Sequence, residues 1–281
     1  MRILITGAAG QLGVDLVDHC ERHGDDVFAL DRDGLDVSDR SAVLGMVTTV
    51  QPDVIVNTAA WTAVDACEGD VDRAFAVNAL GPRWLHEAAT RTQAHLVQLS
   101  TDYVFDGTHD HPYREWDRPN PRSVYGASKL AGERAVGPDA TVIRTSWVCG
   151  ANGNNMVRTI LRLVQEQPSL SFVDDQRGCP TFTADLAPMV RRLALDRRAG
   201  TYHVTNGGAV SWFEFVREIV AEAGYDPAMV HPIATADLDP PRPAPRPANS
   251  VLDNAVLRLG GEAVLRHHRE PLRELVAHLT A

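Results

Sequence analysis

Five short apolar runs punctuate the first half of the chain, at 2–6, 26–30, 53–57, 94–100 and 140–147. Between them lie longer segments, 11–23, 39–49, 70–92 and 123–136, whose apolar positions recur at helical spacing. Buried strands alternating with amphipathic helices predict an α/β fold, a doubly wound parallel sheet of Rossmann type. Ligands of such a sheet sit at the carboxyl ends of its strands. In the long 70–92 segment, Phe75, Val77, Leu80, Trp84, Leu85 and Ala88 read as core positions. After about residue 148 the pattern changes. A loop at 150–154 leads to a helix at 155–166, a strand at 170–173, a polar loop at 174–181 and a helix near 184–196. A strand-like 201–205 precedes Ser211-Trp212-Phe213-Glu214, which reads as a helix cap and first turn. Residues 237–249 are rich in proline and arginine, but helix-competent segments follow, so a structured loop is expected rather than a linker.

Composition narrows the partners. The 281 residues are 44% hydrophobic, enough for a sizeable core, and no apolar run reaches membrane-spanning length. A formal net charge of −10 opposes binding to nucleic acid and to anionic membranes. Met1 leads straight into the first strand, leaving no room for a signal peptide, and Cys20, Cys67, Cys149 and Cys179 form no C-x-x-C. A reducing cytoplasm without disulfides or zinc is the expectation.

The first strand runs directly into Gly7-Ala8-Ala9-Gly10-Gln11-Leu12-Gly13 and then a helix. Strand, glycine loop and helix are what a dinucleotide fingerprint needs. Gly7 makes the tight turn, Gly10 lets a pyrophosphate approach the helix N-terminus, and Gly13 allows close helix–strand packing. The spacing is G-x-x-G-x-x-G rather than G-x-G-x-x-G. The second strand ends in Asp31-Arg32. The carboxylate suits an adenosine ribose and repels a 2′-phosphate, whereas the guanidinium attracts one, so NADH and NADPH both stay open. Asp36 and Val37 are candidates for the adenine pocket, with a turn as the alternative role of Asp36. Ala59 and Ala60 end a strand in small residues, as backbone contact with a cofactor requires. On these grounds 1–148 is expected to bind NAD(P), and 149–281 to form mainly a substrate lobe with segments returning to the first domain.

The chemistry-bearing run is Tyr125-x-x-x-Lys129. Four residues apart, the two side chains share one helix face, and the ammonium is expected to lower the phenol's pKa toward neutrality. Ser100 and Thr101 end a buried strand nearby, and either hydroxyl can polarise a carbonyl oxygen or simply cap the strand. Asn78 inside a helix needs a reason: it holds a water or a carbonyl near Lys129, or is a satisfied core residue.

The motifs above, with Leu99-Ser100-Thr101-Asp102-Tyr103-Val104-Phe105-Asp106-Gly107, Tyr125-Gly126-Ala127-Ser128-Lys129-Leu130-Ala131-Gly132-Glu133, Arg144-Thr145-Ser146-Trp147-Val148, Asp175-Gln176-Arg177-Gly178-Cys179-Pro180-Thr181 and Arg246-Pro247-Ala248-Asn249-Ser250, resemble the extended short-chain dehydrogenase/reductases. Within them the chain is similar to the dTDP-4-dehydrorhamnose reductases. The resemblance implies hydride transfer from a nicotinamide to the C4 ketone of a dTDP-4-keto-6-deoxyhexose, with Tyr125 as proton donor, Lys129 as its partner and Thr101 on the ketone. It also implies sugar-side roles for Asp102, Tyr103 and Trp147, and roles toward the nucleotide and diphosphate for Asn154, Gln176 and Arg246. Sibling sugar 4-ketoreductases, a non-catalytic subunit, and the epimerases and dehydratases of the superfamily are the alternatives. The intact Thr101, Tyr125 and Lys129 oppose the non-catalytic one, and Tyr103 after Asp102 opposes a dehydratase.

Departures from the family pattern fall at Cys149, Met156 and Cys179. Some members bind magnesium through glutamates at a dimer interface. Here the corresponding positions read as Asp15 and Ala184, so no metal and a monomer are expected.

Overall fold

The computed structural model describes residues 1–281. Strands β1 (Arg2–Thr6), β2 (Asp26–Leu30), β3 (Val54–Asn57), β4 (His95–Thr101) and β5 (Thr141–Thr145) pair in parallel, and Gly200–His203 adds a sixth strand beyond β5. The order from that edge is Gly200–His203, β5, β4, β3, β1, β2. Strand order reverses between β1 and β3, and a crevice opens at such a switch point.

The alternation of side chains along each strand divides the core in two. Ile3, Ile5, Val54, Val56, Val97, Leu99 and Ile143 face helices α1 (Gln11–Arg22) and Thr183–Leu195. Leu4, Ile55, Leu96 and Val142 face the other way, against α2 (Arg40–Val50) and the Gly81–Thr92 helix. A sheet buried on both faces explains why its strands read as continuous apolar runs. A third cluster lies outside the sheet. It joins Val157, Ile160 and Val164 of the Met156–Glu166 helix with Phe215, Val216 and Ile219 of Trp212–Glu222 and Leu272, Leu275 and Val276 of Arg269–Thr280.

The expected elements form with ends shifted by a residue or two. The exception is 70–92. It begins with a short helix at Val71–Phe75 capped by Asp70, passes through a π-helical segment at Ala76–Leu80, and resumes as Gly81–Thr92. A short helix at Val64–Gly69 (α3, which makes Val71–Phe75 α4 and Gly81–Thr92 α5) and a strand at Val230–Ile233, paired with Leu170–Val173, carry no clear periodic signal. Ser211 and Glu214 close a reciprocal capping box, as their spacing predicts. No helix is long and apolar enough to cross a membrane.

Candidate active site

Two adjoining cavities open along the carboxyl ends of the central strands. The first, of about 290 Å³, is lined by Gly7, Gly10, Asp31, Arg32, Asp36, Val37, Ala59 and Ala60 among others. The second, of about 440 Å³, holds Gln11, Leu12, Gly13, Ser100, Thr101, Asp102, Tyr103, Tyr125, Lys129 and Trp147. Gly10, Thr58 and Ala60 line both, so one groove runs from the β2 end to the Tyr125 helix.

At its glycine end the backbone dictates the residue. Gly7 has φ +70°, and a Cβ there would lie 2.6 Å from the Ala59 nitrogen. Both the turn and the contact between β1 and β3 therefore exclude a side chain. Asp31 accepts a hydrogen bond from the Gly34 amide at 2.9 Å. Asp36 accepts from the Ser38 amide and hydroxyl at 2.9 and 2.7 Å, which holds its carboxyl below the usual range. Asp36 is thus a turn residue that also lines the groove. The bare glycine loop and the acidic end of β2 fit a dinucleotide, with the adenosine end beside Asp31 and Arg32.

Tyr125 and Lys129 lie in the Val124–Ala135 helix, α6, capped by Ser123. Both are buried. The Lys129 ammonium donates to the Leu99 carbonyl at 2.6 Å, and burial lowers its pKa to about 8. Burial pushes the Tyr125 phenol well above its usual value, against a smaller opposing effect of the Thr101 hydroxyl. The expected fall in the Tyr125 pKa is therefore not found: desolvation outweighs the opposing Thr101 hydrogen bond. Tyr103 packs edge-on against Tyr125, with ring centroids 5.5 Å apart, and burial raises its phenol to about 12.

The two candidate hydroxyls separate. Ser100 Oγ donates to Glu133 Oε1 at 2.5 Å, and Glu133 also holds Arg144 in a buried ion pair. Ser100 is therefore engaged away from any carbonyl. Thr101 Oγ1 donates to Asp102 Oδ1 at 2.9 Å and accepts from the Tyr103 amide at 3.3 Å. Asp102 is buried, which raises its carboxyl to about 6 against the hydroxyls of Ser250 and Thr101.

Trp147 forms the far wall. Its φ of +47° is unusual for a bulky residue. Its indole stacks on Trp212 with centroids 3.6 Å apart, and it lies so close to Gly178 that a Cβ there would be 2.5 Å from Trp147 Cε2. Such a backbone persists only where surroundings over-determine it, as this stack does.

Four candidate residues are not on the groove. The Asn78 side chain is buried in the π-helical segment, accepts from the Trp61 amide, and donates to the Trp61 carbonyl and Ser128 Oγ. It ties the Trp61 loop to α6 and touches neither cavity. Arg246 grips Asp65 with both guanidinium nitrogens, at 2.5 and 2.7 Å, where a diphosphate contact was expected. Gln176 is buried and donates to Thr235. Asn154 offers its backbone carbonyl to the Gln11 side chain. Conversely, Trp212, Trp61 and Arg73 line the groove and carry no motif signal. Arg73 lies over the Trp61 ring at 4.5 Å, a pairing of residues twelve apart that only the folded loop reveals.

Cys149 and Cys179, like Cys20 and Cys67, are free and buried. Asp15 is engaged by Asn152 at 3.1 Å and by the Thr183 hydroxyl.

A family model described as the RmlD substrate-binding domain matches residues 1–281. The chain belongs to this family. A dTDP-4-dehydrorhamnose reductase of Streptomyces griseus is 45% identical over 282 residues, covering 97% of this chain and 92% of that protein. A probable dTDP-4,6-dihydroxy-2-methyloxan-3-one 4-ketoreductase of Streptomyces antibioticus is 43% identical over 288 residues, covering 100% and 96%. The crystal structure of a dTDP-4-dehydrorhamnose reductase from Bacillus anthracis in complex with NADP superposes with a TM-score of 0.94 at 38% identity, covering 99% of each chain. Members of the family thus share the Rossmann-like frame that carries the groove.

Proposed function

We propose that the protein is an NAD(P)H-dependent oxidoreductase that reduces the C4 ketone of a dTDP-4-keto-6-deoxyhexose, converting dTDP-4-dehydro-L-rhamnose to dTDP-L-rhamnose. The observation that carries this reading is the convergence of Thr101, Tyr125 and Lys129 on one cavity that continues into the glycine-loop groove. A bound reduced nicotinamide supplies the hydride. The protein's own residues manage the proton and the developing charge. Tyr125, kept protonated by burial, gives its proton to the carbonyl oxygen as that oxygen becomes an alkoxide. Lys129, anchored on the Leu99 carbonyl, stabilises the phenolate left behind. Thr101 turns its hydroxyl from Asp102 to the ketone oxygen. The stacked Trp147 and Trp212 wall off the sugar side and limit water.

In this reading Asp31 and Arg32 face the adenosine ribose and both NADH and NADPH serve. The segments after residue 148 bind the dTDP-sugar, and the enzyme works as a cytoplasmic monomer without nucleic-acid or membrane partners, its reductase site needing no metal. Arg246 reaches a diphosphate only by releasing Asp65. A sibling 4-ketoreductase of another deoxysugar is the second reading, favoured by the near-equal similarity to the two Streptomyces relatives.

The test is turnover of purified protein with dTDP-4-keto-6-deoxyhexoses and each reduced cofactor, with NMR assignment of the product. Cofactor oxidation with a single C4 configuration of the rhamnose type is expected. A different sugar turned over better supports the sibling reading, and no oxidation with any of them refutes both.

A further inference from the structure

The loop between β4 and α6 carries a second constellation, outside the groove. His109, His111 and Asp117 each present a ligand atom, and the three atoms lie within 4.8 Å of one another. None of these residues lines either cavity of the groove. His109 Nδ1 is buried and has no hydrogen-bond partner. Its ring stacks on Tyr113, with centroids 4.4 Å apart, and the His111 ring centroid lies 4.8 Å away. An unpartnered buried imidazole nitrogen is a cost that the fold tolerates only for a reason.

The neighbours prepare the other two groups. The Asp110 carboxylate sits 2.9 Å from His111 Nδ1. A carboxylate there favours the proton on Nδ1 and a lone pair on Nε2, the arrangement found behind metal-ligating histidines. Asp117 Oδ2 accepts from the Arg114 amide at 2.7 Å, which orients its carboxylate. The backbone is pinned as well. Asn249 donates to the carbonyls of both His109 and His111, at 2.9 and 3.1 Å, and the Tyr113 hydroxyl accepts from the Thr108 and His109 amides while donating to Asp106.

We propose that His109, His111 and Asp117 form a binding site for a zinc-class divalent cation, separate from the reductase groove. Two imidazoles and one carboxylate match zinc and its neighbours, whereas magnesium and calcium prefer all-oxygen sets. Zinc bonds of about 2.1 Å place tetrahedral ligands roughly 3.4 Å apart, so separations that all lie within 4.8 Å must close by up to about 1.4 Å. His111, whose side chain is 58% exposed, has room to do this. Three protein ligands leave a fourth position to water.

The test is titration of the metal-free full chain with Zn²⁺ against a chromophoric chelator, and with Co²⁺ read by its visible ligand-field bands. All four cysteines are buried and do not compete in the folded protein. We expect one equivalent bound at micromolar affinity or tighter, with cobalt bands of low-coordinate nitrogen–oxygen type. His111→Gln, which touches an exposed ring, should weaken binding by about tenfold or more, and Asp110→Asn by about tenfold through its hold on His111. His109→Gln should abolish the cobalt bands, with circular dichroism checking that the fold is kept. His23→Gln, at the separate His19–His23 pair whose centroids are 4.2 Å apart, should change nothing. Binding no tighter than millimolar, or binding kept in His111→Gln and lost in His23→Gln, would overturn the proposal.

Discussion

Burial holds Tyr125 in its protonated form, and a protonated phenol at the end of a hydride path is an acid ready to act. Tyr125→Phe keeps the ring and removes the proton. We expect kcat to fall by roughly two to four orders of magnitude with cofactor affinity largely kept, as steady-state kinetics and cofactor titration would show. In the proposed mechanism Lys129 sets the basic side of the pH profile. Its folded pKa, lowered to about 8, means that the ammonium is present below that pH and is lost as pH rises through it. Accordingly kcat/KM should decline above about pH 8, and Lys129→Arg should move the decline upward; an unchanged limb would exclude Lys129 as its source. Asp31 and Arg32 pull cofactor choice in opposite directions, so Asp31→Ala should raise the NADPH-to-NADH ratio of kcat/KM. The local motifs were legible because glycine spacing and Tyr-x-x-x-Lys act within one loop or one helical turn. Gln176 and Arg246 were not, because their partners Thr235 and Asp65 lie far off in sequence and are set by tertiary contact, whereas Asn78 is the satisfied core residue that its mid-helix place allowed.

Among the elements, the strands and main helices were readable from their periods of 2 and 3.6, and the Ser211–Glu214 cap from its spacing alone. The π-helical insertion was not, since one extra residue in a turn leaves the apolar pattern nearly intact. Its purpose is visible in Asn78, which the insertion aims at the Trp61 backbone and Ser128. Asn78→Ala leaves the Trp61 amide without its partner and should cost about 1–3 kcal/mol of stability, read as a lower denaturant midpoint. A neutral midpoint would show that the amide does not tie the loop to α6. The short Val230–Ile233 strand escaped because its residues alternate only partly and its partner, Leu170–Val173, is sixty residues away.

For the whole molecule, the alternation of strands and helices was enough to give the parallel sheet, and the sheet's switch point places the groove. Which residues from the second half complete that groove was legible only in part: Trp147 was expected there, Trp212 was not. The monomer expected from Ala184 and the net charge is tested by light scattering with and without EDTA. An unchanged monomer mass with activity kept is the prediction, and a dimer that dissociates on chelation would contradict it. The central claim, reduction at C4 with Tyr125 as acid, is tested most directly by turnover with a reduced nicotinamide deuterated at its transferable position. Deuterium is expected on C4 of the product sugar, formed by the wild type and nearly absent with Tyr125→Phe. Deuterium at another carbon, or equal product from the Tyr125→Phe protein, would contradict it.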